Sequence, residues 1–161
     1  MLVTQADVLN ALKEVSDPEI PTISIVDLGI VTKIVINPEQ TYVELTPTFA
    51  GCPALRIMET LVVNKLSEKG FANPVAKTTF EVQWNTSMIS EAGLFALKKH
   101  GLAPPQPIDG ELNLNDLKKI PCPYCDSPNT ELKSPFGPTL CRSIHYCNDC
   151  LQTFEAFKPV Q

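Results

Sequence analysis

Hydrophobic and polar positions near the start of the chain follow a helical period. The stretch Thr4-Gln5-Ala6-Asp7 resembles a capping box with Asp in place of Glu. Apolar residues then recur at helical spacing, at Val8, Leu9, Leu12 and Val15. The helix is predicted to stop at Asp17-Pro18, because the residue before a proline disfavours helical backbone angles.

The pattern then changes to strands. Residues 25–36, IVDLGIVTKIVI, are rich in β-branched side chains, and Asn37-Pro38-Glu39-Gln40 is a turn signal before TYVELTP. An antiparallel hairpin is therefore expected. Residues 75–84, VAKTTFEVQW, alternate in part and predict a third strand.

Two further helices are predicted around that third strand. Pro53 suits the first position of a helix that ends at Lys69-Gly70. Its apolar face would consist of Ala54, Leu55, Met58, Leu61, Val62 and Leu66. The other helix covers roughly residues 87–100, with Lys98, Lys99 and His100 near its negative pole.

These elements predict an α/β (α+β) fold in two parts. Residues 1–101 would form a small, mainly antiparallel or mixed sheet covered by helices. Residues 102–121 contain four prolines and polar residues, a composition typical of a linker. Residues 122–161 differ in composition and predict a β-rich, zinc-ribbon-like module.

Composition and charge limit which classes of partner and which cellular location are expected. The chain has 161 residues, is 43% hydrophobic and carries a net charge of -5. Such a charge gives no general basis for binding nucleic acid or anionic membrane. No apolar run is long enough to span a membrane, and the N-terminus lacks the basic region of a secretion signal. A cytoplasmic location is expected, where CxxC pairs are better explained by metal than by disulfides.

The strongest chemical motif is a pair of CxxC sequences, CPYC at 122–125 and CNDC at 147–150. The module is too short to build a sufficient core, and metal would supply the missing stability. Four thiolates, from Cys122, Cys125, Cys147 and Cys150, predict a closed tetrahedral zinc site. The same ligands also suit iron, so rubredoxin-like electron transfer stays open beside a structural role.

Two nearby residues are not needed as ligands. Cys141 is either an extra thiol or a small buried strand residue. His145 is expected on a strand surface, because four thiolates already complete the shell.

The first part of the chain contains a cysteine of its own, Cys52, at the predicted junction between a strand and a helix. Unpaired N–H groups and the helix dipole at such a position favour a thiolate. An inert cysteine packed under the helix is the alternative. Asp17, in DPEIP with Glu19, and Asp27, in VDLGI, could lie near the same end of the sheet.

The order of these motifs resembles two known families. DPEIP, VDLGI and TPTFAGCPAL resemble the small domain of SufT-type iron–sulfur assembly factors. The segment 90–105, followed by CPYC, SPFGPTLC, CNDC and TFEAFK, is similar to the PaaD (PaaJ) family, the D-type components of the bacterial phenylacetyl-CoA epoxygenase (epoxidase) system. In this chain CDS replaces the usual CGS of the first knuckle, which puts its turn geometry in question.

The resemblance implies a non-catalytic accessory subunit in aerobic phenylacetate breakdown. Its work would be maturation, helping iron or an iron–sulfur cluster reach the oxygenase or its reductase, which are the expected partners. Cys52, with Asp17 and Asp27 as neighbours, would hold that cargo transiently. A purely structural bridging subunit is the third possibility.

Overall fold

A computed structural model describes residues 2–48, 54–107, 111 and 113–159. The chain divides into two compact units, one of Met1–Trp84 with Met88–Gly93 and one of Asn85–Ser87 with Leu94–Gln161. Among the described residues each unit has its own sheet, of three strands in the first and four in the second. The predicted α+β class is confirmed. No helix in the described part of the chain is long and apolar enough to cross a membrane.

The first unit is built on a mixed sheet. Its elements are α1 (Gln5–Leu12), β1 (Val31–Asn37), β2 (Gln40–Leu45), α2 (Leu55–Glu68) and β3 (Pro74–Thr78). The strand order is β1-β2-β3, with β1 antiparallel and β3 parallel to β2. The predicted hairpin is therefore present, and α2 lies in the crossover that a parallel pair requires.

Helix α1 begins as predicted but ends earlier. The Asp7 N–H donates to Thr4 Oγ1 (3.3 Å) and the Thr4 N–H donates to Asp7 Oδ2 (2.8 Å), which closes the capping box. The helix stops at Leu12 rather than at Asp17. Beyond it the Val15 carbonyl accepts the Ile25 N–H (2.9 Å), so the backbone pairs across the loop instead of continuing the helix.

Strands β1 and β3 are shorter than predicted. Residues 25–29 form turns and Ile30 is irregular, yet Ile25, Leu28 and Ile30 are buried, so their apolar character reflects core packing in a loop rather than a strand. Strand β3 ends at Thr78, because the residue that pairs with Thr78 is Leu45, the last residue of β2. The apolar alternation that follows β3 is left exposed at Phe80 and Val82.

Gly29 is required by this loop. Its φ of +79° is in the left-handed region, and an added Cβ would lie 2.5 Å from the Met88 carbonyl oxygen. The Trp84 Nε1–H donates to the neighbouring Leu28 carbonyl oxygen (2.9 Å), which is a second contact that holds the loop. These contacts position the turn that contains Asp27.

Helix α3 spans Glu91–Lys99, later than the predicted start near residue 87. Residues Thr86–Met88 form a separate turn of 3₁₀ helix. Ser90 accepts the Gly93 N–H on its Oγ (3.0 Å), as an N-cap residue does.

The second unit has a sheet of four strands in the part of the chain that the structure describes. Its remaining elements are β4 (Leu102–Ala103), α4 (Leu114–Leu117), β5 (Thr130–Ser134), β6 (Arg142–Cys147) and β7 (Thr153–Phe157). The order is β4-β7-β6-β5, with β6 antiparallel to both β5 and β7. A buried cluster contains Ala103, Leu117, Ile120, Cys122, Cys147, Phe154 and Ala156.

The segment 102–121, predicted as a linker, differs in the structure. Its described part supplies β4 and α4, and Leu117 and Ile120 are buried in the core of the second unit. The Thr130 Oγ1–H donates to the Ile120 carbonyl oxygen (2.6 Å). A few apolar side chains pack this segment against the core of the unit. The prolines and polar residues around them are the reason why the sequence predicted a linker.

Candidate metal centre

Four cysteines of the second unit lie close together near the end of β6. Cys147 is the last residue of β6, whereas Cys122, Cys125 and Cys150 lie in the loops and turns around it. Their four Sγ atoms all lie within 4.8 Å of one another. The Sγ–Sγ distances across the two CxxC turns are 3.6 Å for Cys122 and Cys150 and 3.5 Å for Cys125 and Cys147.

Each CxxC turn is closed by the same backbone pattern. In the first, the Asp126 N–H donates to the Cys122 carbonyl oxygen (2.9 Å), and in the second the Leu151 N–H donates to that of Cys147 (3.0 Å). Asp126 (φ +60°) and Leu151 (φ +61°) are both in the left-handed region. Asp126 therefore adopts the turn that glycine usually provides, and CDS leaves the geometry intact.

A polar network links the two turns at the surface. The Asp149 carboxylate accepts hydrogen bonds from Ser127 Oγ and from Asn129 Nδ2 (3.1 Å). Asn148 donates its backbone N–H to the Asn129 carbonyl oxygen (2.9 Å). Sequence analysis missed these residues, although the polar stretches DSPN and CNDC are the signal that could have revealed them. Such contacts orient ligands from outside the ligand shell.

The electrostatics of the four thiols favour a cation. Backbone N–H groups of Cys150 and Asp149 lower the pKa of Cys147 to about 7. Burial raises the pKa of Cys150 to about 12. Four thiolates this close repel one another unless a positive charge lies between them. The donor set and its spacing therefore fit a Zn or Fe ion.

Cys141 and His145 are outside this group of four. Cys141 is half-buried, with its Sγ 3.0 Å from Thr139 Oγ1. The prediction that His145 lies on a strand surface is wrong, because its side chain is fully buried. It stacks on Phe154 with ring centroids 5.2 Å apart, and its Nε2 is 2.7 Å from Ser143 Oγ. Burial lowers its pKa to about 4.

The predicted site in the first unit is described only in part. Cys52 lies outside the described residues. Asp17 is buried, and its Oδ1 accepts the N–H groups of Glu19 (2.8 Å) and Ile20 (3.0 Å). This carboxylate therefore orders the DPEIP turn.

Asp27 is held by two serines. Its Oδ2 accepts a hydrogen bond from Ser24 Oγ (3.0 Å) and its Oδ1 accepts one from Ser90 Oγ (2.8 Å). Ser90 also donates its N–H to the Asp27 carbonyl oxygen (2.8 Å). The two serines are separated by 66 residues in the sequence, so only the tertiary structure reveals their common partner.

Two family models match the chain. The PaaD zinc beta ribbon domain matches residues 108–158, and the iron-sulfur cluster assembly protein model matches residues 5–69. Each match covers one of the two regions that carry the candidate cysteines.

Two relatives extend these matches. A protein of Escherichia coli (strain K12), provisionally named as the D component of 1,2-phenylacetyl-CoA epoxidase, is 30% identical over 91% of this chain and 88% of its own length. An Fe-S protein maturation auxiliary factor of Porphyromonas gingivalis (strain ATCC BAA-308 / W83) is 34% identical over 60% of this chain and 92% of its own length.

Two solved structures are similar in fold to part of this chain. A domain of unknown function, DUF59, from Bacillus anthracis has a TM-score of 0.54 at 23% identity and covers 58% of this chain and 90% of its own. A conserved hypothetical protein of Thermotoga maritima has a TM-score of 0.50 at 30% identity, covering 62% and 96% respectively.

Proposed function

Because the chain belongs to the PaaD family, the D-type components of 1,2-phenylacetyl-CoA epoxidase, we propose that it is a non-catalytic accessory subunit of that multicomponent enzyme. Its work is to assist assembly of iron or iron–sulfur centres in the oxygenase or its reductase. Those components are its proposed partners, and the cytoplasm is its proposed location.

One observation carries this proposal. A single chain combines a match to the iron–sulfur cluster assembly model with a match to the PaaD zinc ribbon. The first match supports metallocentre maturation as the activity, and the second supports a phenylacetyl-CoA epoxidase as the client. The relative named as an Fe-S protein maturation auxiliary factor supports the same activity.

Zinc is the metal that we assign to the four-cysteine group. Cys122, Cys125, Cys147 and Cys150 would hold it, and a bound zinc would supply a structural cross-link in a short ribbon. Cys122 and Cys147 are buried within the core cluster of the unit, which suits a closed structural site. This ribbon would position a client while the first unit handles the cargo.

Cys52 is the proposed cargo ligand. Its thiolate would bind iron or a cluster transiently, with Asp17 and Asp27 as neighbouring carboxylates. Asp27 accepts hydrogen bonds from Ser24 and Ser90, and Asp17 accepts them from backbone N–H groups, so both carboxylates are held in fixed positions.

The test is reconstitution of the oxygenase with wild-type protein and with Cys52→Ala. We expect Cys52→Ala to yield less iron-loaded oxygenase than wild type does. Cys141→Ala, which removes a half-buried thiol outside the group of four, is the matched control and should perform like wild type. Full restoration of iron-loaded oxygenase by Cys52→Ala would overturn the cargo role.

Metal analysis and a visible spectrum of the same anaerobic preparations test the ribbon. Stoichiometric zinc without a visible band is the expected result. Stoichiometric, reducible iron would instead indicate rubredoxin-like electron transfer.

A further inference from the structure

The loop between β5 and β6 exposes two large apolar side chains, and one of them lies beside a lysine. Phe136 and Leu140 are each 62% exposed. The Lys158 ammonium lies 4.6 Å from the centroid of the Phe136 ring. We call Phe136, Leu140 and Lys158 the hairpin tip.

The hairpin tip is held by hydrogen bonds. The Gly137 N–H donates to the Arg142 carbonyl oxygen (2.8 Å), which closes the loop. The Phe136 N–H donates to Ser134 Oγ (3.2 Å), and the Lys158 N–H donates to the Cys141 carbonyl oxygen (2.8 Å). Phe136 is thus presented to solvent by an ordered backbone, which reduces the entropy lost when a partner binds.

Among the described residues no carboxylate pairs with the Lys158 ammonium, and the acidic group that acts on it is the Cys141 thiol. Its Nζ donates to the Pro135 carbonyl oxygen (3.0 Å) and faces the Phe136 ring. The ion pairs among the described residues involve other lysines and Arg142. Partial burial lowers the pKa of the Lys158 ammonium, and the Cys141 thiol opposes that change. A carboxylate placed here would therefore meet a partly desolvated cation.

We propose that the hairpin tip is a docking surface for a protein partner that places an Asp or Glu carboxylate on Lys158 and apolar side chains over Phe136 and Leu140. An apolar centre with a charged group that orients the partner is a common arrangement in protein interfaces. One cation is too few to bind a nucleic acid or an anionic membrane tightly. The identity of the partner, another component of the epoxidase, rests on the proposed function.

The experiment measures dissociation constants between the full-length, metal-loaded chain and each purified oxygenase and reductase subunit. The test variants are Phe136→Ser, Leu140→Ser and Lys158→Gln. Phe95→Ser and Leu114→Ser are matched controls, because these side chains are 70% and 58% exposed in the same unit and lie outside the hairpin tip. Metal content and circular dichroism show that each variant is folded.

We expect each test variant to weaken binding of one subunit by about tenfold, whereas the controls bind like wild type. Lys158→Arg, which keeps the charge, should retain most of the affinity, and added salt should weaken wild type more than Lys158→Gln. Test variants that bind like wild type, with wild type bound to a subunit, would overturn the docking surface and leave the proposed function standing.

Other outcomes separate the two proposals further. If wild type binds none of the subunits, both the docking surface and the role in the epoxidase fail. If the hairpin tip mediates binding to anionic vesicles or self-association instead, the docking proposal fails whatever the subunits do.

Discussion

At the scale of single residues, the two CxxC turns depend on left-handed backbone at Asp126 and Leu151. Asp tolerates this conformation better than Leu does, because its short polar side chain bonds locally. Asp126 also pairs with the Lys98 ammonium. Leu151 is largely exposed, so its side chain offers little burial to offset the strain.

Leu151→Gly should therefore stabilise the metal-loaded protein. Glycine adopts φ near +60° without strain, and we expect a gain of about 1 kcal/mol after its greater unfolded-state entropy is subtracted. Urea unfolding of the second unit at saturating zinc measures the effect. Leu151→Ala retains the Cβ and should show no such gain, and equal stabilisation by both variants would contradict the explanation.

Single residues also show where sequence reasoning succeeded. The capping box at Thr4 and Asp7 forms as predicted because it needs only atoms that are three residues apart. The buried environment of His145 was not predicted, because it depends on Phe154 in the next strand and on the packing of a whole face.

At the scale of elements, β6 and β7 are joined by an ion pair as well as by their backbone hydrogen bonds. Arg142 Nη1 lies 2.8 Å from Glu155 Oε2, and the Arg142 side chain is only 10% exposed. By contrast, Lys133 and Glu131 on β5 form a pair in which both side chains are more than half exposed. The Arg142 pair is therefore much less accessible to solvent than the Lys133 pair.

Glu155→Gln should destabilise the second unit by about 1–3 kcal/mol, because it removes a negative charge that pairs with a mostly buried guanidinium. Glu131→Gln makes the same chemical change at an exposed pair and should alter stability by less than about 0.5 kcal/mol. Denaturant unfolding of the two metal-loaded variants provides the comparison. Equal effects would show that burial does not govern the contribution of the Arg142 pair.

Strand lengths show the limit of patterns at this scale. Alternation predicted a strand through Trp84, but β3 ends where β2 has no further residue to offer. Residues 25–30 are similarly apolar because they fill the core from a loop. A strand forms only where another strand pairs with it, and the length of that partner strand cannot be read from the strand's own sequence.

At the scale of the whole molecule, metal dependence should be confined to the second unit. The chain has one tryptophan, Trp84, and it is buried in the first unit. The four cysteines proposed to hold zinc belong to the second unit. Trp84 fluorescence therefore reports on the folding of the first unit, and bound metal reports on that of the second.

Removing metal with a strong chelator should unfold the second unit, because the binding energy of a structural metal is also folding energy. We expect loss of β-sheet circular dichroism and a lower melting temperature, with Trp84 emission unchanged. Adding zinc should reverse both changes. A shift of Trp84 emission to that of the unfolded chain would show that the first unit also depends on the metal.

The sequence by itself determined the α+β class, the antiparallel hairpin, the cap of α1 and the candidate metal ligands. These depend on short-range periodicity, on cap chemistry and on the CxxC spacing, all of which act within a few residues. Only the tertiary structure decided where β3 ends, that Leu117 and Ile120 pack into the core of the second unit, that His145 is buried, and that Ser24 and Ser90 share Asp27. Those features depend on contacts between segments that are far apart in the sequence, because such contacts determine which side chains are buried and which groups form hydrogen bonds.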